Sequence, residues 1–287
     1  MYEKSIGILG GDMRHFHLYK LVLGAGFDAK IFGFDNLCPN TPINDVLCCH
    51  KLVLPIPTSR DGVSINAPYS SEEIPIDSII GKIGKNTVVY GGIIKGALND
   101  LNQTVIDYYS DEKFTGYNAI LTAEGAIGVI MNNTETALTD CRILIVGYGR
   151  IGRYTAGLLK GFNADITVSA RKEQDFKDIA LHGLKSINTN NLSDEKLDFN
   201  IILNTVPNRL FGKEIIEKLP CDCLFIELAS PPYSIDFALA AAMGLNVLNA
   251  QSLPSKYAPF SCAKALLSIV TAERRCSLLR KDGDNNG

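Results

Sequence analysis

The chain has 287 residues, 46% hydrophobic and 21% charged, with a net charge of −3. This length suggests about two domains, and the composition is that of a globular protein, which excludes disorder over most of the chain. No basic excess points to a nucleic-acid partner, and no stretch reaches the ~18 uncharged apolar residues of a membrane span.

Met1 to Ser5 runs straight into a strand-like segment with no signal-peptide core, so a cytoplasmic protein is expected. Ser5–Leu9 reads as a strand ending in Gly10-Gly11, and His15–Leu23 as a helix closed by Gly24 and Gly26. Further strands are expected at 29–34, 51–54, 87–90 and 104–108, with a short helix at 93–101. Strands alternating with helices imply parallel βαβ units. Residues 118–137, rich in Ala, Ile, Leu, Val and Gly, read as one long, mostly buried helix. A second alternating series follows, with strands at 142–146, 165–169, 199–204, 224–228 and 246–248. Its helices are expected at 151–160, 176–182, 212–219 and 234–243. An amphipathic helix at 259–280 and a polar tail at 281–287 close the chain.

The expected architecture is α/β, with two doubly wound parallel-sheet domains joined by two long helices. Residues 1–117 form an N-terminal substrate domain, to which the 259–280 helix returns. Residues 118–258 hold the linking helix and a nucleotide domain. The cleft between the domains is the default place for a site.

The strongest motif is Gly147-Tyr148-Gly149-Arg150-Ile151-Gly152, placed after an apolar strand and at the opening of a helix. In that context G-x-G-x-x-G is the Rossmann-like dinucleotide fingerprint. Gly147 allows the tight turn, Gly149 lets the pyrophosphate approach, and Gly152 lets helix and strand pack closely. The helix N-terminus then offers free N–H groups to the phosphates.

An NAD site would usually place an acid ~20 residues further on, at the end of the next strand. The run there is Ser169-Ala170-Arg171-Lys172, a hydroxyl and two cations without an acid. That favours the 2′-phosphate of NADP over NAD, with the planar fork of Arg171 as its ligand. Asn204, Thr205, Val206 and Pro207 follow the next strand, where the nicotinamide ribose would lie.

In the first domain Gly10, Gly11, Asp12 and Arg14 make a phosphate-type turn without its third glycine. Asp12 can cap the helix. Arg14 sits poorly with the helix dipole, so it needs either a structural partner or an anion in the cleft. Thr58 and Ser59 after one strand, and Gly91 and Gly92 after another, could donate to a carboxylate. Glu124, beside Thr122, lies in the apolar helix and is either paired or a base with a raised pKa.

The eight cysteines (Cys38, Cys48, Cys49, Cys141, Cys221, Cys223, Cys262 and Cys276) read as reduced, mostly structural thiols, since none has C-x2-C spacing. His15, His17, His50 and His182 also lack ligand spacing, so no metal is expected.

The domain order is similar to that of hydroxyacid dehydrogenases and adenosylhomocysteinase. The chain lacks the downstream His of the former and the NAD-reading acid of the latter. It more closely resembles the family of dipicolinate synthase A subunits, over nearly its whole length. The matching residues are Gly10, Gly11, Asp12, Arg14; Tyr117, Asn118, Thr122, Glu124, Gly125; Gly147 to Gly152; Ala170, Arg171; Asn204, Thr205, Pro207; Leu228, Ala229, Ser230; Asp236, Phe237; and Leu253, Pro254, Lys256, Ala258, Pro259. Leu121, Pro231-Pro232-Tyr233 and Ser261-Cys262-Ala263 depart from the family pattern and bear on the shape of the substrate loops.

The resemblance implies NADP-linked oxidation of a dihydro- or tetrahydro-dipicolinate from the lysine pathway, in the mother cell of a sporulating bacterium. It also implies a hetero-oligomer with the flavoprotein-like B subunit of dipicolinate synthase. Gly10, Gly11, Arg14, Ser230 and Lys256 would serve the substrate carboxylates, with Glu124 as the base. The alternatives are another NADP-dependent dehydrogenase of a small carboxylic acid, and a non-catalytic NADP-binding regulatory protein.

Overall fold

The computed structural model describes residues 5–272. They divide into two compact units, one of residues 5–10, 18–108 and 264–272, the other of 11–17 and 109–263. Met1 to Lys4, Cys276, the expected helical turns beyond 272 and the 281–287 tail lie outside the described residues.

The first unit holds strands β1 (Ser5–Leu9), β2 (Asp28–Phe32), β3 (Lys51–Val53), β4 (Val88–Gly91) and β5 (Val105–Asp107). All are parallel, in the order β2-β1-β3-β4-β5. The connections carry α1 (Met13–Gly24), whose first residues belong to the second unit, α2 (Ile43–Leu47) and α3 (Ile76–Ile79). Leu9, Leu52 and Val89 of the strands pack with Val46, Leu47, Ile76 and Ile79 of the two short helices. Those helices are too short to show a periodicity, and each begins directly after a proline, Pro42 or Pro75. The helix expected at 93–101 is reduced to a single 3-10 turn at Gly96–Leu98. Ile93 and Gly96 both take positive φ, and the Asp107 carboxylate accepts from the Ile93 and Ile94 N–H groups. Those bonds hold the backbone out of a helix.

In the second unit α4 (Glu112–Asn132) begins six residues before the apolar stretch, because the Asp111 carboxylate caps it by accepting from Phe114 N–H. The unit boundary falls ahead of this helix, at 108/109. Then come β6 (Arg142–Val146), α5 (Arg150–Gly161), β7 (Asp165–Ala170), α6 (Glu173–Leu181), β8 (Lys185–Asn188) and β9 (Ile201–Asn204). They are followed by α7 (Lys213–Ile216), β10 (Leu224–Glu227), α8 (Phe237–Ala242), β11 (Asn246–Asn249), α9 (Leu253–Tyr257) and α10 (Pro259–Thr271).

The six strands are parallel in the order β11-β10-β9-β6-β7-β8, the Rossmann arrangement. Both sheet faces are covered, as a parallel sheet requires. Ile143 and Ile145 of β6 pack with Ile127 and Ile130 of α4 and Leu159 of α5. Leu144 and Val146, pointing the other way, meet Phe225, Phe211 and Ile216. The strand order reverses between β6 and β9, so the C-terminal ends of these two strands open a crevice, the usual ligand position in such sheets.

Candidate functional site

That crevice is a cavity of about 480 Å³, entirely within the second unit. Its floor is the glycine loop. Gly147 holds φ +95, and its N–H donates to the Ser169 carbonyl at 3.0 Å. A Cβ on Gly147 would stand 2.5 Å from Val206 Cγ2 and 2.7 Å from Thr205 Oγ1, so both conformation and space demand glycine. A Cβ on Gly152 would stand 2.1 Å from the Gly147 carbonyl oxygen, which records how closely α5 seats on the loop. Gly149, the cap of α5, has nothing within 4 Å of its Cβ position and lines the cavity. The loop therefore leaves an open approach to the free N–H groups of a helix N-terminus, the local form of a phosphate site.

Besides Arg153, three cations line the cavity: Arg150 at the first residue of α5, and Arg171 and Lys172 just past β7. All three are exposed, and none makes an ion pair within the described residues. Ser169 departs from expectation. It is fully buried, and its Oγ accepts from Thr189 Oγ1 at 3.0 Å, so it does not line the cavity. Thr189 lines the wall instead, placed there by β8. Its signal was hidden because Lys185–Asn188 is a polar strand without the expected apolar run.

Arg153 fastens the loop to α6. Its guanidinium lies over the Tyr148 ring at 4.4 Å and donates to Tyr148 O at 3.1 Å, to Asp175 at 2.9 Å and to Asp178 at 2.5 Å. Burial pushes the Tyr148 hydroxyl pKa up.

Thr205, Val206 and Pro207 form the opposite wall. Asn204 does not reach it. It is fully buried, donating to Val206 O at 2.9 Å and to Glu227 Oε1 at 2.5 Å. Gly152 likewise stays behind the wall, in its packing role. Glu227, the last residue of β10, is fully buried and was not singled out from the sequence, where it only ends an apolar run.

The first-unit candidates are less open than their residue types suggest. Thr58 is buried, and its hydroxyl lies 3.1 Å from Gly92 O and 3.3 Å from Pro55 O. Ser59 donates to Asp61 Oδ1 at 2.9 Å. Gly91 and Gly92 are buried, with Cβ positions under 3 Å from Ile94 and Thr58 in one case and from Ile56 and Tyr108 in the other. Gly10 is buried at φ +65, with its N–H given to Phe32 O at 2.8 Å. These hydrogen bonds hold the strand-end turns together.

In the second unit Gly11 is closed in by the His15 ring, 2.4 Å from its Cβ position. Arg14 has an anion within the protein, in Asp12. The buried guanidinium donates to both carboxylate oxygens, with NH2 to Oδ2 at 2.6 Å. Burial alone would raise the Asp12 pKa. Hydrogen bonds from His15 and Arg14, with their charges, outweigh it and hold the carboxyl far below the usual carboxylate range. Cys262 lies in the same neighbourhood, and burial pushes its thiol pKa up, as befits an inert structural thiol.

Glu124 differs from expectation in burial. It projects from the exposed side of α4, so the desolvation argued from the apolar sequence does not apply. Thr122 is buried, and its hydroxyl donates to the Asn118 carbonyl at 2.7 Å. Lys256 is exposed on α9, a helix that packs on α4 where Leu253 and Tyr257 approach Gly125 and Gly128. Among the described residues no ion pair joins Glu124 and Lys256. Ser230 is exposed just past β10. Among the described residues no cluster of His, Cys, Asp and Glu could hold a metal ion, and no helix is long and apolar enough to cross a membrane.

Residues 5–108 match the model for the N-terminal domain of the dipicolinate synthase A subunit, and residues 120–251 match the NAD-binding domain of D-isomer-specific 2-hydroxyacid dehydrogenases. The chain is 23% identical to the dipicolinate synthase A subunit of Bacillus subtilis (strain 168), over 93% of this chain and 94% of that protein. The crystal structure of the dipicolinate synthase A subunit from Bacillus halodurans superposes with a TM-score of 0.83 at 25% identity, covering 93% of this chain and 96% of that one. The A chain of dipicolinate synthase from Bacillus subtilis gives 0.79 at 22% identity, covering 94% and 95%. The loop, the open helix terminus and the unpaired cations suit the nicotinamide dinucleotide that such a domain binds. The chain is thus an NAD(P)-dependent oxidoreductase, similar across both of its units to the A subunit of dipicolinate synthase.

Proposed function

We propose that the chain is the NADP-dependent A subunit of a dipicolinate synthase, oxidising a dihydro- or tetrahydro-dipicolinate of the lysine pathway to pyridine-2,6-dicarboxylate. The match of residues 5–108 to the dipicolinate synthase N-terminal domain carries this reading, because the nucleotide unit alone would suit many dehydrogenases. A bound nicotinamide supplies a two-electron acceptor that no side chain provides. The chain's own tasks are to hold the ring, bind two carboxylates and accept a proton. A cytoplasmic setting in the mother cell of a sporulating bacterium, and assembly with a flavoprotein-like B subunit, belong to the same proposal.

NADP is preferred because Arg171 and Lys172 line the cavity unpaired, with no acid at the end of β7. Arg171→Ala should weaken NADPH binding about tenfold and leave NADH nearly unchanged, as loss of a charge-assisted fork to the 2′-phosphate would do. Fluorescence titration measures both. Equal affinities for the two cofactors, unaltered by the substitution, would refute the assignment.

Glu124 as base and Lys256 as carboxylate ligand are the roles proposed for the two exposed ionisable groups on the paired helices α4 and α9. Glu124→Gln should lower turnover by about 10²-fold or more, the usual scale for a positioned base. Lys256→Met should raise KM chiefly. Normal turnover in both variants would remove this site model.

One observation favours a second reading. Thr58, Ser59 and Arg14 already spend their donors within the protein, as they would in a non-catalytic NADP-binding protein. Supplying dihydrodipicolinate and NADP⁺, with and without the flavoprotein-like partner, separates the two. Pyridine dicarboxylate absorbance supports the synthase, and cofactor binding without product supports the binding protein. Product from a different small carboxylic acid would instead identify another NADP-dependent dehydrogenase.

A further inference from the structure

Beside the nucleotide cavity lies a second one of about 180 Å³, also within the second unit. The two share Gly149, Arg150 and Thr205. The second contains none of the residues past β7 and β8 that mark the adenosine end. It is lined instead by Tyr109 and by Thr115, Asn118 and Ala119 of α4. A dinucleotide whose phosphates sit at Gly149 and Arg150, with its adenosine toward Arg171, has only its nicotinamide riboside half left to place there.

Asn118 carries the one buried acceptor on that wall without a partner: its Oδ1 is shielded from solvent and receives no hydrogen bond. The hydroxyls beside it are committed. Thr115 Oγ1 donates toward the Asp111 and Glu112 carbonyls at 3.1 and 3.3 Å, and Thr205 Oγ1 to the Val146 carbonyl at 2.8 Å. A buried unpaired acceptor is costly, and an unsatisfied one in a folded protein calls for an explanation. The nicotinamide riboside half carries the complementary groups, two ribose hydroxyls and a carboxamide NH2.

We propose that Asn118 is a cofactor-orienting residue whose Oδ1 accepts a hydrogen bond from a hydroxyl or amide donor of the nicotinamide riboside half. The inference rests on the nicotinamide-dinucleotide reading of the adjoining cavity. It adds a residue of α4 to the cofactor contacts, outside the glycine loop and the strand ends.

Asn118→Leu removes the polar atoms at similar volume, and Asn118→Ala removes them without added bulk. Calorimetry and fluorescence titration should find NADPH and NADH bound about tenfold more weakly by both variants. ADP and 2′,5′-ADP, which lack the nicotinamide riboside, should bind as to the wild type. The melting temperature of ligand-free Asn118→Leu should equal or exceed that of the wild type, since an unpaired acceptor is being removed. Unchanged dinucleotide affinity overturns the proposal, as does an equal loss for ADP or a lower ligand-free melting temperature with intact cofactor binding. If the wild-type protein itself binds neither dinucleotide, the cofactor reading falls and takes this inference with it.

Discussion

Gly152→Ala is expected to weaken dinucleotide binding at least ~10²-fold while the rest of the sheet stays folded. The added methyl would sit 2.1 Å from the Gly147 carbonyl oxygen and 3.1 Å from its carbon. Both are backbone atoms, so no rotamer change relieves the overlap. The loop cannot retreat freely either. Gly147 is held at φ +95, bonded to the Ser169 carbonyl on one side and backed by Thr205 and Val206 on the other. The accommodation left is for α5 to lift away from the loop, carrying the N–H groups of its first turn off the phosphate position. Losing hydrogen bonds to a charged phosphate costs about 1.5–3 kcal/mol each, on the order of 10²-fold in affinity. Titration with NADPH checks this, with far-ultraviolet circular dichroism to follow the fold. Gly157→Ala is the matched control on the same helix. Nothing lies within 4 Å of its Cβ position, so it should bind cofactor normally and gain about 0.5–1 kcal/mol from helix propensity. Wild-type affinity in Gly152→Ala would show that the close seating of α5 is not what shapes the site.

The parts of the fold legible from the sequence are those with strong one-dimensional signals. Strand β6, its glycines and the helix after them follow from an apolar run meeting G-x-G-x-x-G, and the structure places them as expected. Where one residue decides an element, the sequence pattern misleads. Asp111 starts α4 six residues before its apolar stretch, and Asp236 starts α8 at Phe237 rather than at Ser234, by accepting from Ala238 and Leu239 N–H. Strand β8 has no hydrophobic pattern, and missing it conceals Thr189.

Residue type at a strand end is less informative about role than about location. Ser169 and Asn204 lie at the right strand ends, but both turn inward to satisfy neighbours. Arg14 needs an anion, and its anion stands two residues away in Asp12. Each of these depends on which of two available partners a side chain takes, and that is a three-dimensional choice.

Glu227 shows the same point at its largest expected effect. Its carboxyl group is fully buried, no ion pair reaches it among the described residues, and four donors surround it. Oε1 accepts from Asn204 Nδ2 at 2.5 Å and Ala229 N at 3.1 Å, and Oε2 from Ser234 N at 2.9 Å and Ser234 Oγ at 2.6 Å. The two carboxyl oxygens thus serve as acceptors for both strand ends. The group thereby ties the end of β9, which leads into the cavity wall at Thr205 to Pro207, to the turn after β10. Glu227→Gln puts an NH2 donor where only donors arrive. Glu227→Ala leaves all four unpaired in the interior. Either change should cost about 3 kcal/mol or more, since each buried donor left without a partner costs about 1–3 kcal/mol. Urea denaturation would read this as a lower midpoint at unchanged slope. Ser234→Ala alone should cost less. Added to Glu227→Ala it should cost less still, because the two groups share one bond and their effects cannot add. Cofactor affinity should fall with the stability of the wall, in Glu227→Ala more than in Ser234→Ala. A Glu227→Gln protein with the wild-type midpoint would mean that the four donors find other partners, and that the two strand ends are held by packing alone.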